Sequence, residues 1–272
     1  MARIVKLLLY IVAVIMACIM VIPLVWMILL SIRETYDLSI ILIRPIPVHP
    51  TLANFIYLFK HERFMRYLLN SALYASFSVA AILFFDSLAG YAFAKKEFWG
   101  RDTIFLLLLT SLMVPFHVLL IPLFLVMKSF GFVNTYQGLV IPIISSFFGV
   151  FLMRQFIASI PQSLIDSARI DGCGEFGIWY KIVMPLCKPV LAALTIFTFM
   201  GAWNDFLWPL VITTSEKLMP VTVGLVTFQG KNVTKWGLIM AGAFMGIAPI
   251  LVVFLALQRR FVKGVVLTGL KF

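Results

Sequence analysis

Six stretches of this 272-residue chain are each long and apolar enough to cross a lipid bilayer, and that fact limits its fold more than any other. A helix that spans the hydrocarbon layer needs about 20 mostly apolar residues. It must also pair all of its own backbone groups, because lipid offers them no partner. The stretches run roughly over 7–32, 70–94, 103–127, 137–159, 190–213 and 236–258, and each is apolar around its whole circumference. Pro115, Pro122, Pro142, Pro209 and Pro249 fall inside them, which neighbouring helices of a bundle tolerate better than water does. Composition agrees. The chain is 62% hydrophobic and 12% charged, where soluble domains carry about 25% charged residues. The expected fold is therefore all-α: a polytopic membrane protein of six transmembrane helices, with 1–272 forming a single transmembrane domain and 160–189 a loop between the fourth and fifth spans.

The start carries a charged tip like a signal peptide, but its apolar run is about 25 residues, well past the roughly 7–15 of a signal core. It reads as a retained first span. An even number of spans puts both termini on one side, and Lys and Arg collect in cytoplasmic loops. The tight link "AKKEFWGR" and the tail "QRRFVKG" place both termini in the cytoplasm. The net charge of +11 fits this rule, and no basic block suggests nucleic acid. Cys18, Cys173 and Cys187 are odd in number with no CxxC pair, which argues against a disulfide framework and against zinc. No HExxH or GxSxG is present. The chain also lacks a phosphate-cradling glycine loop, so it is not expected to be an enzyme or to hydrolyse ATP itself. The first outer loop, 33–69, is proline-rich and then carries "LFKHERFMRYLLN", a candidate interfacial helix.

One loop stands apart. "IDSARIDGCGEFGIWYKIVMPLCKP", residues 165–189, is charged and broken by Gly and Pro in an otherwise oily chain. Ser163 followed three residues later by Asp166 has the spacing of a capping box, predicting a helix from Leu164 to about Asp171 with Leu164, Ile165 and Ala168 on one stripe. Gly172 stands where a left-handed cap would end it. A second helix over about 174–183 would align Phe176, Trp179, Tyr180 and Val183, be broken by Pro185, and be followed by Pro189 in the first turn of the next span.

Asp166-Ser167-Ala168, then Asp171-Gly172, then Met184-Pro185 resemble the "EAA" loop of ABC-importer permeases, with Asp for Glu and Ser for Ala. "YLLNSALYA", "AGYAFAKKEFWGR", "GAWNDFLWPLVIT" and "ALQRRFVKGVVLTGLKF" resemble the shorter, MalG-like permease subunit of maltose-type carbohydrate importers. The resemblance covers the chain from about residue 50 to its end. It implies the type I importer permease fold and a multi-pass protein of a bacterial or archaeal inner membrane. It also implies three partners: a second permease, an ATPase pair that holds ATP and Mg, and an extracytoplasmic solute-binding protein. No cofactor is implied in this chain. Asp166, Ser167, Ala168, Asp171 and Gly172 would then form the coupling helix that docks on the ATPase, and ATP-driven closure would move the attached spans. A permease for a polyol, glycerol phosphate or peptide is the alternative. A stand-alone secondary transporter would favour internal repeats and a complete ion site, and neither is visible.

Other polar residues lie in apolar runs. Asn204 and Asp205, beside Trp203 in "GAWNDFLWPL", have two readings: contact with a sugar on its path, or a polar clamp between helices or subunits. Asp86 in "ILFFDSLAG" suits helix packing more than ligand contact. His117 reads as a satisfied bundle histidine, and Gly242 with Gly246 as a GxxxG packing motif. In the last outer loop, 214–235, the resemblance implies that Gln229, Gly230, Lys231 and Asn232 face the binding protein, against the plainer reading of a connector.

Overall fold

A computed structural model describes residues 2–33, 46–47, 49–60, 62–229 and 235–269. Among these the regular elements are helical. In chain order they are α1 (Ala2–Ser31), α2 (Ala53–Lys60), α3 (Glu62–Lys95), α4 (Arg101–Ser111), α5 (Phe116–Ser129), α6 (Tyr136–Val140) with a 3₁₀ turn at Ile141–Ile143, and α7 (Phe147–Ala158). After these come α8 (Gln162–Ile170), α9 (Glu175–Ile178) running into a π-helical turn at Trp179–Val183, α10 (Met184–Leu186), α11 (Lys188–Asn204), α12 (Leu207–Ile212), α13 (Val221–Val226) and α14 (Trp236–Gly269). Among the described residues, three helices are long and apolar enough to cross a membrane, or up to six if each bent pair is one span.

Two compact units divide the chain: Met1–Arg66 with Val223–Ala248, and Tyr67–Thr222 with Pro249–Phe272. In the first unit, the apolar stretch of α1 is exposed along its length, as a helix facing lipid or another subunit would be. Asn54 on α2 fixes the chain leaving α1 by donating Nδ2 to the carbonyls of Ser31 (2.8 Å) and Arg33 (2.6 Å). The expected GxxxG motif on α14 is split in its use. A Cβ at Gly242 would stand 2.4 Å from Leu225 Cδ2, whereas one at Gly246 would meet nothing within 4 Å. Close approach therefore requires Gly242 and not Gly246.

In the second unit three of the expected spans are bent or broken. The 103–127 stretch bends by 103° between α4 and α5. Pro115 causes this: it cannot donate to the ladder, and it takes an extended conformation as the cap of α5. The 137–159 stretch bends by 44° before Ser146, whose Oγ accepts the Gly149 N–H and starts α7. The 190–213 stretch is broken at Asp205, which is extended between α11 and α12. A buried apolar cluster including Met153, Ile157, Ile165, Ile178, Val183 and Leu194 ties α7, the α8–α10 loop and α11 together.

Asp86, fully buried on α3, accepts from Ser145 Oγ (2.7 Å) and the Ser146 N–H (3.1 Å). Its negative charge lies at the start of α7, where the helix dipole favours it. This is a packing role, as the sequence suggested. His117 is exposed on α5 within this chain.

Candidate functional site

Two features of the second unit form the candidate site: the α8 loop and a cleft beside the helix breaks. The loop comes first. α8 starts at Gln162, with Pro161 as its cap and no side chain closing its first turn. Ser163 therefore lies inside the helix, and the capping box expected from Ser163 and Asp166 does not form. Asp166 instead accepts from Gln162 Nε2 (3.0 Å) and Arg169 Nη1 (3.1 Å) along the helix surface. Pro161 holds the cap position with an extended ψ of 133°, which puts Ser163 at the second helical residue, past the place where a side chain can cap.

The end of α8 is as expected. Gly172 has φ +79°, the left-handed region that favours glycine. The Cys173 N–H reaches the Ala168 carbonyl (2.9 Å) and the Gly172 N–H that of Arg169 (3.0 Å), the two bonds of a Schellman turn. Ile165 and Ala168 face the chain's own core, and Ala168 is small enough to let α8 pack closely there. Asp166, Ser167, Asp171 and Gly172 face outward together with Leu164 and with Ile170, which is 86% exposed. The expected stripe of Leu164, Ile165 and Ala168 is thus divided between two faces.

The second helix of the loop also differs. Trp179 and Val183 are buried, but Phe176 and Tyr180 are exposed, because the π turn at 179–183 widens the register. Pro185 sits within the first turn of α10, and the sharp bend of 82° comes at Cys187, ahead of Pro189 in α11. Glu175 at the start of α9 accepts the Tyr91 hydroxyl (2.7 Å) and Arg169 Nε (3.1 Å), and pairs with Lys96. The Lys96 ammonium above all holds its carboxyl down to about 2.

A cleft of about 420 Å³ lies beside the breaks. Phe116 just past Pro115, Ser145 and Ser146 at the α7 start, and Asp205 at the α11–α12 break all line it, with Tyr74, Thr198 and Trp208. None of its lining residues is Lys, Arg or His. Asp205 accepts the Tyr74 hydroxyl (2.9 Å) and stands two residues before α12. Trp208 donates Nε1 to the Gly138 carbonyl (3.1 Å). Of the three residues expected along a solute path, Asp205 alone lines this cleft. Asn204 is exposed elsewhere, and Trp203 is buried, stacked on Phe199 with ring centroids 5.4 Å apart. Sequence reasoning missed Tyr74, Ser145 and Ser146. A signal was available for the two serines only: a hydroxyl pair in "PIISSFFG" has little reason to sit in an apolar run unless the helix breaks there. In the last outer loop Gln229 is exposed, while Gly230, Lys231 and Asn232 lie outside the described residues.

Residues 86–266 match the family described as the binding-protein-dependent transport system inner membrane component. The chain belongs to this family. The matched region begins at Asp86 and holds α8 and the cleft apart from Tyr74 and Ile82. The arabinooligosaccharide permease AraQ of Halalkalibacterium halodurans is 39% identical over 94% of this chain and 92% of its own. The lactose permease LacG of Rhizobium radiobacter is 35% identical over 72% of this chain and 71% of its own. The sn-glycerol-3-phosphate permease UgpE of Salmonella typhi is 34% identical over 73% and 72%. Among solved structures, a bacterial ABC transporter that imports the acidic polysaccharide alginate superimposes with a TM-score of 0.84 at 23% identity, over 95% of this chain and 97% of that one. A bacterial alginate ABC transporter in complex with an alginate pentasaccharide-bound periplasmic protein gives 0.64 at 14% identity, over 92% and 93%. These two likenesses concern the fold.

Proposed function

We propose that this chain is one of two permease subunits of an ATP-binding cassette importer for a sugar or oligosaccharide, with both termini cytoplasmic. A second permease completes the solute path, a pair of ATPase subunits holding ATP and Mg docks beneath, and an extracytoplasmic binding protein delivers the solute. The observation that carries the reading is α8. It is a short helix between two membrane segments, packed inward through Ile165 and Ala168 and presenting Leu164, Ile170 and the outward Asp166, Ser167, Asp171 and Gly172 to a partner. An exposed apolar side chain such as Ile170 suits a groove on another subunit better than water. Within this reading Ala168 acts by seating α8, and Gly172 by ending it.

The sugar assignment draws on the likeness to arabinooligosaccharide and lactose permeases. The cleft supports it: hydroxyls, a carboxylate and aromatic faces suit a polyol ring. The likeness to a glycerol-phosphate permease favours a second reading, a phosphorylated solute. Against it, no cation in the cleft would pair with a phosphate. The last outer loop, with Gln229, Gly230, Lys231 and Asn232, is proposed to meet the binding protein.

Crosslinking tests the docking. In a background with Cys18 and Cys173 replaced, Ile170→Cys should crosslink to cysteines in the ATPase groove, and ATP should change the yield. Co-expression with the ATPase and second permease should yield one complex from detergent. A chain that purifies alone and gives no crosslink would end this reading.

A further inference from the structure

The two consecutive lysines at the end of α3 hold both ends of the α8 segment. Lys95 Nζ donates to the Ile160 carbonyl (2.5 Å), just before Pro161. Lys96 pairs with Glu175, just after the Gly172 turn. Glu175 is where the contacts meet. One oxygen takes Lys96 and Arg169 Nε, and the other takes the Tyr91 hydroxyl one turn back along α3. Arg169 continues the chain to Asp166, and Asp166 to Gln162. Charges of alternating sign thus run from Asp166 in the middle of α8 through Arg169 and Glu175 to Lys96 at the end of α3.

Apolar packing through Ile165 and Ala168 keeps α8 against the core but does little to fix its direction, because dispersion contacts are not directional. Hydrogen bonds to a carboxylate are directional and charge-assisted. α3 is also the helix that carries Tyr74, whose hydroxyl reaches Asp205 in the cleft. Tyr74 and Tyr91 lie on one unbroken helix, about 25 Å apart at 1.5 Å per residue.

We infer that Glu175 is the positioning residue that makes α8 and α3 move as one piece, so that displacement of α8 reaches the Tyr74–Asp205 contact along α3. The inference rests on the proposal that α8 docks on the ATPase. It assigns the joint to Glu175, Tyr91 and Lys96, none of which is in the outward face of α8. Without the joint, α8 still docks but swivels under load.

The test uses the complete transporter in proteoliposomes, with radiolabelled arabinotriose as probe. Three quantities are read for Glu175→Gln and Tyr91→Phe: ATPase subunit retained, ATP hydrolysed, and sugar taken up per ATP. The first two should stay as in the parent. Uptake per ATP should fall about fivefold in Glu175→Gln and about twofold in Tyr91→Phe, in keeping with the modest energies of partly exposed charged contacts. Glu175→Asp, which keeps the carboxylate, should lose less than Glu175→Gln. Unchanged uptake per ATP, or ATPase lost from the complex in step with uptake, would overturn the inference. If the parent retains no ATPase at all, the functional proposal itself fails, and the joint with it.

Discussion

Asp86 and Gly149 make a pair whose coupling can be worked out from the structure. A Cβ on Gly149 would stand 2.0 Å from Asp86 Oδ2. Gly149→Ala must therefore push the carboxylate away from the start of α7, losing the bonds from Ser145 and Ser146. Asp86→Ala loses the same bonds directly. Ser145 is exposed and Ser146 half-buried, so water can replace the lost acceptor; at about 0.5–1.5 kcal/mol for each of two bonds, each single change should destabilise by about 1–3 kcal/mol. The double variant should not cost the sum. With the carboxylate gone, only the Asp86 Cβ position, 3.3 Å away, opposes the new methyl, and the bonds can be lost only once. The expected interaction energy is about 1–3 kcal/mol in favour of the double variant. The assay is reversible unfolding of the purified subunit in detergent micelles by SDS titration, for parent, two singles and double. Additivity within about 0.5 kcal/mol would refute the geometry on which this reasoning depends.

Other outcomes follow from the site. Gly172→Val forces a β-branched residue into φ +79° and should destabilise the loop by about 1–2 kcal/mol, with faster proteolysis near 172 and lower uptake. Tyr74→Phe removes the hydroxyl that reaches Asp205 and should slow uptake several-fold with membrane insertion unchanged, as read by transport and by immunoblot of membranes. Replacing 229–232 with Ala should weaken stimulation of ATP hydrolysis by the binding protein; normal stimulation would favour the plain connector. For pH, the carboxyl of Glu175 is depressed, so its stabilising contribution is full above the ordinary value of 4.5 and is lost as pH falls toward about 2. Uptake per ATP should accordingly show no step from this group between pH of about 6 and 8. A step there that Glu175→Gln abolishes would contradict the depressed value.

Hydropathy located the apolar runs because lipid leaves no alternative to helix for an unpaired backbone. It could not show where they bend. Pro122 lies inside α5 without ending it, while Pro115 ends one helix and starts another. The difference lies in what surrounds each proline, which no single sequence states. Gly172 was legible because a Schellman turn is local: helix, glycine, and two bonds within six residues. The capping box at Ser163 was a false signal, because Pro161 takes the cap position and the helix begins at Gln162. The cleft was hardly legible. Tyr74 and Asp205 are 131 positions apart, and only the packing of α3 against the α11–α12 break brings them together. Glu175 was missed for a related reason, since it reads as an ordinary exposed acid until Tyr91 and Lys96 are placed beside it.

The central claim is ATP-driven import of a sugar through this subunit. Its most direct test is uptake by proteoliposomes holding this chain, the second permease and the ATPase pair, with the binding protein outside and ATP sealed within. Labelled neutral oligosaccharides should accumulate only when ATP and binding protein are both present, and labelled glycerol 3-phosphate should not. Accumulation without ATP, or of the phosphate ester in place of the sugars, would contradict the account.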